Sequence, residues 1–407
     1  MAELDVGSSP QCLFESIMSE TMTEPTVFEG FINHWGAMTW SPDTLAELES
    51  ISKTKLICRK SKLEEDGCYS EPPHKVPKHE IQWENLSEYE TFTFKEFANF
   101  DKQISLKQNH CHQWLYADYK HMKDIFHDSP SMLEDVDWST FGFHGRNGDS
   151  STFWMGTAGS NTPCHYDTYG CNLVAQLYGK KRWTLFPPSD CNFLYPTRIP
   201  FEESSVFSHV NIKNPDLQRH PLYSKVSKYE VVLKPGQVLY VPKHWWHYVE
   251  CESTAISVNT WVGLASDKDD HVKENLAAML TKSMLDYAGH LNDLEIYNPK
   301  EVPLEYNEGM NILNKLLFTE PKTIEEQKRV NAKTHEKFCL CCKKTVTPLQ
   351  RVKKAEVAPC EINTPLPGKC EPGNQQNLTL SGLLDCVIHP DVLQLMKDIL
   401  NSKKILP

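Results

Sequence analysis

The stretch TPCHYD at Thr162–Asp167 decides how this chain folds and what it can bind. On a β-strand, residues two apart project to the same face, so His165 and Asp167 can point into one cavity while Tyr166 turns away. A second stretch, WWH at Trp245–His247, supplies another imidazole further along the chain. The two stretches therefore predict two halves of one site.

His247 completes a metal-binding set if its strand runs beside the first one. The turn KPG at Lys234–Gly236 opens a strand, and we expect His247 to lie at the end of that strand. Two histidines and one carboxylate leave open positions on the metal, which is the arrangement of non-haem Fe(II) oxygenases. The sequence predicts an Fe(II) site with His165, Asp167 and His247 as ligands.

The pattern His-x-Asp is short, and the chain repeats it at His389-Pro390-Asp391. That second occurrence contains a proline, flanks a predicted helix and has no distant histidine partner. We therefore interpret only the first occurrence, which lies between predicted strands, as a metal site.

Composition limits the class of protein. The chain has 407 residues, a formal net charge of -12 and 14 irregularly spaced cysteines. It is long enough to bury a large core, and its charge argues against nucleic acid as a partner, because phosphate binding needs clustered Lys and Arg. The cysteine density predicts reduced thiols and a cytoplasmic protein, with the nucleus as an alternative. We find no secretory signal and no apolar run of about twenty residues, so we expect no membrane partner.

Short apolar segments separated by Gly or Pro fill the middle of the chain, where helical periodicity is absent. Evenly spaced segments of this kind, rich in aromatic and β-branched residues, are typical of a jelly roll. We predict a mainly β protein with flanking α-helices, in which a double-stranded β-helix of the cupin type precedes a helical C-terminal region. The predicted strands are 114–119, 152–155, 171–177, 182–186, 230–233, 237–241, 248–251 and 255–261.

Changes in periodicity and composition predict four parts. Residues 1–113 form an N-terminal flank that packs on the core, and residues 114–265 form the core. Residues 266–320 have helical spacing, and the helix after Asp270 either pairs two copies into a homodimer or packs on the protein's own sheet. Residues 321–407 are basic and then rich in Pro and Gly, which predicts a partly disordered tail with a short terminal helix.

The tail contains the unit Cys339-x-x-Cys342. Paired Cys-x-x-Cys units would be a strong zinc signal, whereas one unit is a weak signal. We interpret these residues as ordinary reduced thiols.

An iron site of this kind uses a co-substrate such as 2-oxoglutarate, whose keto-acid end chelates the metal while its second carboxylate is buried in the protein. That carboxylate needs a cation and hydroxyl donors, because an unpaired buried charge is costly. Lys181 lies on the strand after Gly179, and Thr162 lies three residues before His165. We predict Lys181, Thr162 and Tyr116 as the binding groups.

Taken together, the motifs resemble the JmjC family of Fe(II)- and 2-oxoglutarate-dependent oxygenases, and within it the asparaginyl hydroxylase that inhibits hypoxia-inducible factor. The resemblance runs from Pro25 to the helix near Leu285. The matching residues are TPCHYD at 162–167, Asn172, AQ at 175–176, GKKRW at 179–183, LFPP at 185–188, PGQVLYVP at 235–242, WWH at 245–247 and VNTW at 258–261.

The resemblance implies further site residues. Asn172 and Asn259 fall where the family places polar groups near the keto acid, and Trp183 and Trp261 fall in the pocket wall. Asn172 lies one residue further from the metal motif than in the asparaginyl hydroxylase, which implies a bulge or a longer loop.

Two of the residues predicted to bind the co-substrate have a neighbour of the same type that is an alternative assignment. The register of Gly-x-Lys-Arg favours Lys181 over Lys180. The upstream match is shorter and favours Tyr116, with Tyr119 nearby.

The function implied by the resemblance is an oxygenase that consumes 2-oxoglutarate and dioxygen, releases succinate and hydroxylates a protein side chain. Two alternatives stay open. One is a catalytically silent protein of JmjC fold that modulates a small heat-shock protein, a partner that the resemblance also implies. The other is a lysine demethylase, which we rank below hydroxylation because the chain lacks histone-reader modules and a basic patch on its core.

Overall fold

The computed structural model describes residues 9–60, 81, 83–84, 87–106, 113–288, 296–298, 301–318, 345–352 and 380–403. The Cys339-x-x-Cys342 unit lies outside these residues. The α-helices are α1 (Pro10–Met18), α2 (Pro42–Glu47), α3 (Phe94–Leu106), α4 (Met122–Ile125), α5 (Lys268–Ala288), α6 (Tyr306–Phe318), α7 (Leu380–Val387) and α8 (Pro390–Lys403). None of the helices in the described part of the chain is both long and apolar enough to span a membrane.

The strands are β1 (Thr26–Glu29), β2 (Lys55–Lys60), β3 (Glu88–Thr93), β4 (Leu115–His121), β5 (Thr152–Gly156), β6 (Asn161–Asp167), β7 (Cys171–Tyr178), β8 (Lys181–Phe186), β9 (Pro196–Thr197), β10 (Ser205–Ser208), β11 (Tyr229–Leu233), β12 (Gln237–Val241), β13 (Trp246–Cys251), β14 (Ala255–Val262) and β15 (Thr345–Pro348).

These strands form two antiparallel sheets. The large sheet has the order β15-β1-β12-β7-β14-β5-β4-β2-β3, and the small sheet has the order β11-β8-β13-β6-β10-β9. From β5 onward the chain passes back and forth between the sheets, so that β5, β7, β12 and β14 face β6, β8, β11 and β13. This arrangement confirms the predicted double-stranded β-helix.

The N-terminal segment is part of the large sheet. β1 pairs with β12, and β2 pairs with both β3 and β4. Phe28 and Trp35 are buried in the same hydrophobic cluster as Phe153 of β5 and Val258 of β14. The segment therefore shares the core of the β-helix.

The strand that carries His247 differs from the prediction. The turn at Lys234–Gly236 leads into β12 of the large sheet, whereas His247 lies near the start of β13 in the small sheet. His244, between the two strands, has a φ of 63°, a left-handed conformation typical of turns. The predicted strand was wrong, but β13 does run beside β6.

An irregular excursion between β8 and β11 contains two short strands, β9 and β10. β10 pairs with β6, and Phe207 lies opposite His165. The excursion therefore extends the small sheet next to the predicted metal site.

The C-terminal helices form a second hydrophobic cluster. Val272 and Leu276 of α5 are buried with Leu313 of α6, Leu384 of α7 and Leu393 of α8. Helices of the same chain thus cover this face of α5, where the sequence suggested the sheet or a second copy. Homodimer formation through α5 stays a prediction.

A piece of the predicted tail closes the edge of both sheets. β15 pairs with β1, the amide N–H of Leu349 donates to the carbonyl of Pro25, and that of Val352 donates to the carbonyl of Lys228 next to β11. Leu349 also packs on a hydrophobic cluster that includes Trp183 and Val249.

Candidate metal and co-substrate site

A β-bulge in β6 sets which of its side chains face inward. In the pairing with β13, His247 lies opposite His165, but Val249 lies opposite Thr162. Two residue steps on β13 thus match three on β6, which defines a β-bulge around Pro163. Proline has no N–H to donate to the sheet and is tolerated at such positions. The bulge lets Thr162 and His165 line one cavity although they are an odd number of residues apart.

The three predicted metal ligands meet at this point. One nitrogen of His165, one nitrogen of His247 and one carboxylate oxygen of Asp167 all lie within 4.8 Å of one another. The His165 Nε2 atom is 3.7 Å from Asp167 Oδ1, and the two imidazole centroids are 4.3 Å apart. Imidazole nitrogens and a carboxylate oxygen at these separations are suited to a divalent transition metal.

Backbone carbonyls orient both imidazoles. The Nδ1 atom of His165 is 2.8 Å from the carbonyl oxygen of Pro163, and that of His247 is 3.0 Å from the carbonyl oxygen of Trp245. A carbonyl can only accept, so each Nδ1 carries the proton and each Nε2 keeps its lone pair. Burial, together with the neighbouring His165, lowers the pKa of His247 to about 4. The hydrogen bonds fix the tautomer that leaves Nε2 available to a metal, and the lowered pKa keeps His247 in the neutral form that binds metals.

Asp167 is held by an indole. The Trp261 Nε1 atom donates to Asp167 Oδ2 at 2.9 Å, which leaves Oδ1 on the side of His165. Trp261 in turn stacks on Tyr119 with ring centroids 5.5 Å apart and an angle of 15° between the rings. Outer partners of this kind fix the direction of a ligand and tune metal affinity.

Lys181 lies in the same cavity and is only 2% exposed. Its Nζ atom donates to Ser257 Oγ at 2.8 Å and to the Tyr116 hydroxyl at 3.4 Å. Among the ion pairs of the described residues, none includes Lys181. Burial lowers the pKa of this ammonium group, because a charge removed from water without a counter-ion is disfavoured.

Hydroxyl groups surround the ammonium group. Burial raises the pKa of Tyr116 well above its ordinary value, so its phenol stays protonated, and this hydroxyl also contacts Thr162. Lys180, the alternative to Lys181, is exposed. The structure therefore brings Lys181, Tyr116 and Thr162 together as a potential carboxylate-binding group.

Two amides occupy another part of the cavity wall. Asn259 Nδ2 donates to Asn172 Oδ1 at 2.8 Å, and Asn259 Oδ1 accepts from Trp154 Nε1 at 2.7 Å. Both asparagines are at least nine-tenths buried.

All ten side chains predicted for the site line one cavity. They share it with five residues that the sequence did not assign to the site: Tyr119, Trp154, Val174, Val249 and Ser257. The predicted ten are Tyr116, Thr162, His165, Asp167, Asn172, Lys181, Trp183, His247, Asn259 and Trp261.

Alternation on the strands would have found some of the missed residues. Ser257 is two residues before Asn259 on β14, and Val249 is two residues after His247 on β13. Tyr119 was weighed only as a substitute for Tyr116, yet both tyrosines face the cavity. Tyr119 has a φ of 53°, and the pairing of β4 with β5 shifts next to it, so a regular strand could not predict both. No sequence signal singles out Trp154.

Two further predictions from the sequence concern Tyr166 and the repeated His-x-Asp pattern. Tyr166 faces away from the cavity and packs on Trp246 at a centroid distance of 4.7 Å. His389 lies between α7 and α8, 3.7 Å from the exposed carboxylate of Asp391, and is not in the metal-binding group. The repeated His-x-Asp pattern therefore has no third ligand among the described residues.

A double-stranded β-helix with two histidines and a carboxylate converging in its cavity defines a cupin-type protein with a candidate metal centre. The chain belongs to the family of proteins with a Cupin-like domain, whose model matches residues 10–263.

Comparison with known proteins gives relatives that cover most of the core. The chain is 40% identical over 301 residues to HSPB1-associated protein 1 of Bos taurus, covering 72% of this chain and 59% of that protein. It is 28% identical over 244 residues to Lysine-specific demethylase 8 of Xenopus tropicalis, covering 58% of this chain and 48% of that protein. It is 35% identical over 195 residues to human tRNA wybutosine-synthesizing protein 5, covering 46% of this chain and 57% of that protein.

These matches confirm the family resemblance that the motifs predicted. The chain spans about three fifths of the length of the HSPB1-associated relative.

Proposed function

We propose that this chain is an Fe(II)- and 2-oxoglutarate-dependent oxygenase that hydroxylates a protein side chain. The observation that carries the proposal is the presence of two complementary half-sites in one cavity: a His, His, Asp ligand set and a buried ammonium group with no ion-pair partner among the described residues.

The residues present fit such a metal. His165 and His247 would bind through Nε2, because each Nδ1 is committed to a carbonyl oxygen. Asp167 would bind through Oδ1, because Oδ2 accepts from the Trp261 indole. When bound, Fe(II) would supply the oxidation of a substrate C–H bond by dioxygen, coupled to conversion of 2-oxoglutarate to succinate and carbon dioxide.

The residues also fit a dicarboxylic co-substrate. Lys181 would neutralise the carboxylate far from the metal, and the hydroxyls of Tyr116, Thr162 and Ser257 would donate to it. In a buried cavity such charge-assisted hydrogen bonds are stronger than in water. Asn172 and Asn259 would hold the keto-acid end.

The apolar side chains of the cavity would keep water away from the reacting centre. Val174, Val249 and Trp183 form one wall and belong to a single buried cluster. Because the bound metal and co-substrate would supply the oxidation, no protein side chain is needed as a nucleophile or base. The protein's part in the chemistry is to bind, orient and exclude water.

Turnover measurement tests the proposal. The purified chain is reconstituted with Fe(II) and supplied with 2-oxoglutarate and a panel of protein substrates that includes a small heat-shock protein. Succinate is quantified, and mass spectrometry detects an added oxygen atom. We expect both signals in the wild type and neither in His165→Ala. Succinate formation that persists in His165→Ala would contradict the proposed site.

The names of the relatives support two further candidates. Relatives named for association with HSPB1 favour a binding protein whose partner is a small heat-shock protein. Equal affinity of wild type and His165→Ala for that partner, without succinate formation, would favour binding without catalysis. A relative named as a lysine demethylase favours methyl-lysine substrates, and formaldehyde release from methylated peptides would favour that chemistry over hydroxylation.

A further inference from the structure

We propose that Trp154 is a positioning residue that fixes the direction of two amides and thereby makes Asn172 a hydrogen-bond donor to the co-substrate. The inference rests on the proposed binding of 2-oxoglutarate. Trp154 lies on β5, opposite Ser257 of β14, and lines the cavity.

The indole of Trp154 determines which atoms donate and which accept in the series of hydrogen bonds from Trp154 to Asn259 to Asn172. An indole N–H can donate but cannot accept, whereas either end of an asparagine amide can be turned towards a neighbour. Trp154 Nε1 is 2.7 Å from Asn259, so Asn259 must present its oxygen there. The Nδ2 group of Asn259 is then turned towards Asn172, 2.8 Å away, and Asn172 must present its oxygen in turn.

The last residue in this series of hydrogen bonds, Asn172, presents a donor to the cavity. With its oxygen committed to Asn259, Asn172 is left with its Nδ2 group, which has no hydrogen-bond partner among the described residues. Asn172 lines the cavity and is 5% exposed. An amide N–H in this position can donate a hydrogen bond to an anionic oxygen of a ligand, whereas an amide oxygen in the same place would repel that oxygen.

The Asn259–Asn172 amide pair and the Lys181 ammonium group lie in the same cavity at a distance from each other. Asn259 is two residues from Ser257, the hydrogen-bond partner of Lys181, on the same face of β14. Two residues of a strand span about 7 Å. The cavity therefore offers donors at two separated places, which suits a ligand with an anionic group at each end.

The ring of Trp154 has contacts that a phenylalanine would retain. Its centroid is 4.7 Å from that of Tyr119 and 5.9 Å from that of Tyr116, and the Lys181 ammonium lies 5.8 Å from it. Trp154→Phe thus removes the N–H while keeping an aromatic ring in place. Without that donor, the amide of Asn259 can reverse, and Asn172 can present its oxygen to the ligand.

Calorimetric titration tests the inference without turnover. The full chain is loaded with Mn(II), which supports binding without oxidation, and 2-oxoglutarate is titrated. We expect Trp154→Phe to bind about 3- to 10-fold more weakly, the value of a neutral hydrogen bond. The matched control is Trp138→Phe, which loses a buried indole bond of 3.0 Å to Ser151 in a different cluster from the cavity wall. We expect the control to bind like the wild type.

A double-mutant cycle separates positioning from general damage. If Trp154 acts through Asn172, then adding Trp154→Phe to Asn172→Ala changes affinity no further, since coupled residues are not additive. Suppose that the wild type binds 2-oxoglutarate. An unchanged affinity of Trp154→Phe, or additive losses of affinity in the double variant, would then overturn this inference but not the proposed function. A wild type that does not bind 2-oxoglutarate would overturn the proposed function and the inference with it.

Discussion

Replacing Lys181 by Met removes a charge while preserving the length and most of the volume of the side chain. The ammonium group is 2% exposed, hydrogen-bonded to Ser257 and Tyr116, and without an ion pair among the described residues. If it binds the 2-oxoglutarate carboxylate, its loss leaves a buried anion unpaired. Truncating one partner of such a pair costs about 2–4 kcal/mol, which corresponds to roughly a 30- to 1000-fold rise in Kd.

The same substitution should act in the opposite direction on the stability of the ligand-free chain. Burial lowers the pKa of Lys181, so the fold disfavours its charged form. Replacing an uncompensated buried charge by an apolar group is often neutral or stabilising. We therefore expect that Lys181→Met does not lower the melting temperature of the ligand-free protein.

Two assays measure these effects. Calorimetric titration of the Mn(II)-loaded chain with 2-oxoglutarate gives the affinity, and thermal unfolding of the metal-free chain without 2-oxoglutarate gives the stability. Lys180→Met is the matched control, because Lys180 is exposed and lies next to Lys181 in the chain. The control should match the wild type in both assays. Binding of 2-oxoglutarate by Lys181→Met within about threefold of the wild type would refute the assignment of the carboxylate pocket.

Three further substitutions test other parts of the account. Trp261→Phe removes the donor to Asp167 and should weaken Mn(II) binding about 10- to 100-fold in a titration, whereas unchanged affinity would contradict the role of the indole. His389→Ala, in the repeated motif, should leave Mn(II) binding unchanged in that titration. Although burial opposes the shift, hydrogen bonds with three basic side chains hold the pKa of Asp270 well below its ordinary value. The stabilisation from this group is fully present above the unfolded pKa of about 4, begins to decline there, and is lost as the pH falls through the much lower folded pKa. Asp270→Asn should therefore cost about 1–3 kcal/mol in thermal unfolding at pH 7 and progressively less as the pH is lowered below about 4, and a loss that does not shrink as the pH falls would contradict the charge argument.

Much of the fold could be predicted because its signals are local. Strands in the core are short, alternate in side-chain direction and end at Gly or Pro, so β7, β8 and β12 were found near their true positions. The ends of strands were harder. The left-handed turn at His244 separates β12 from β13, and no residue type forces that turn, so His247 was assigned to the wrong strand.

The site was predictable where chemistry restricts the residue type. Candidate metal ligands permit few alternatives, and His165 could be chosen for this reason. The register of Gly-x-Lys-Arg in the family resemblance was needed to separate Lys181 from Lys180. Tyr119 reaches the cavity through an irregularity that alternation cannot foresee. Trp154 acts through Asn259, a partner 105 residues away, and a contact that depends on strand pairing has no signature in the local sequence.

Anaerobic titration with Fe(II) and then with 2-oxoglutarate measures whether the cavity binds both the metal and the co-substrate. We predict that the wild-type chain binds one Fe(II), that 2-oxoglutarate binds tightly only when the metal is present, and that His165→Ala loses both. Absence of stoichiometric Fe(II) binding by the folded wild type, or binding that His165→Ala retains, would contradict the account.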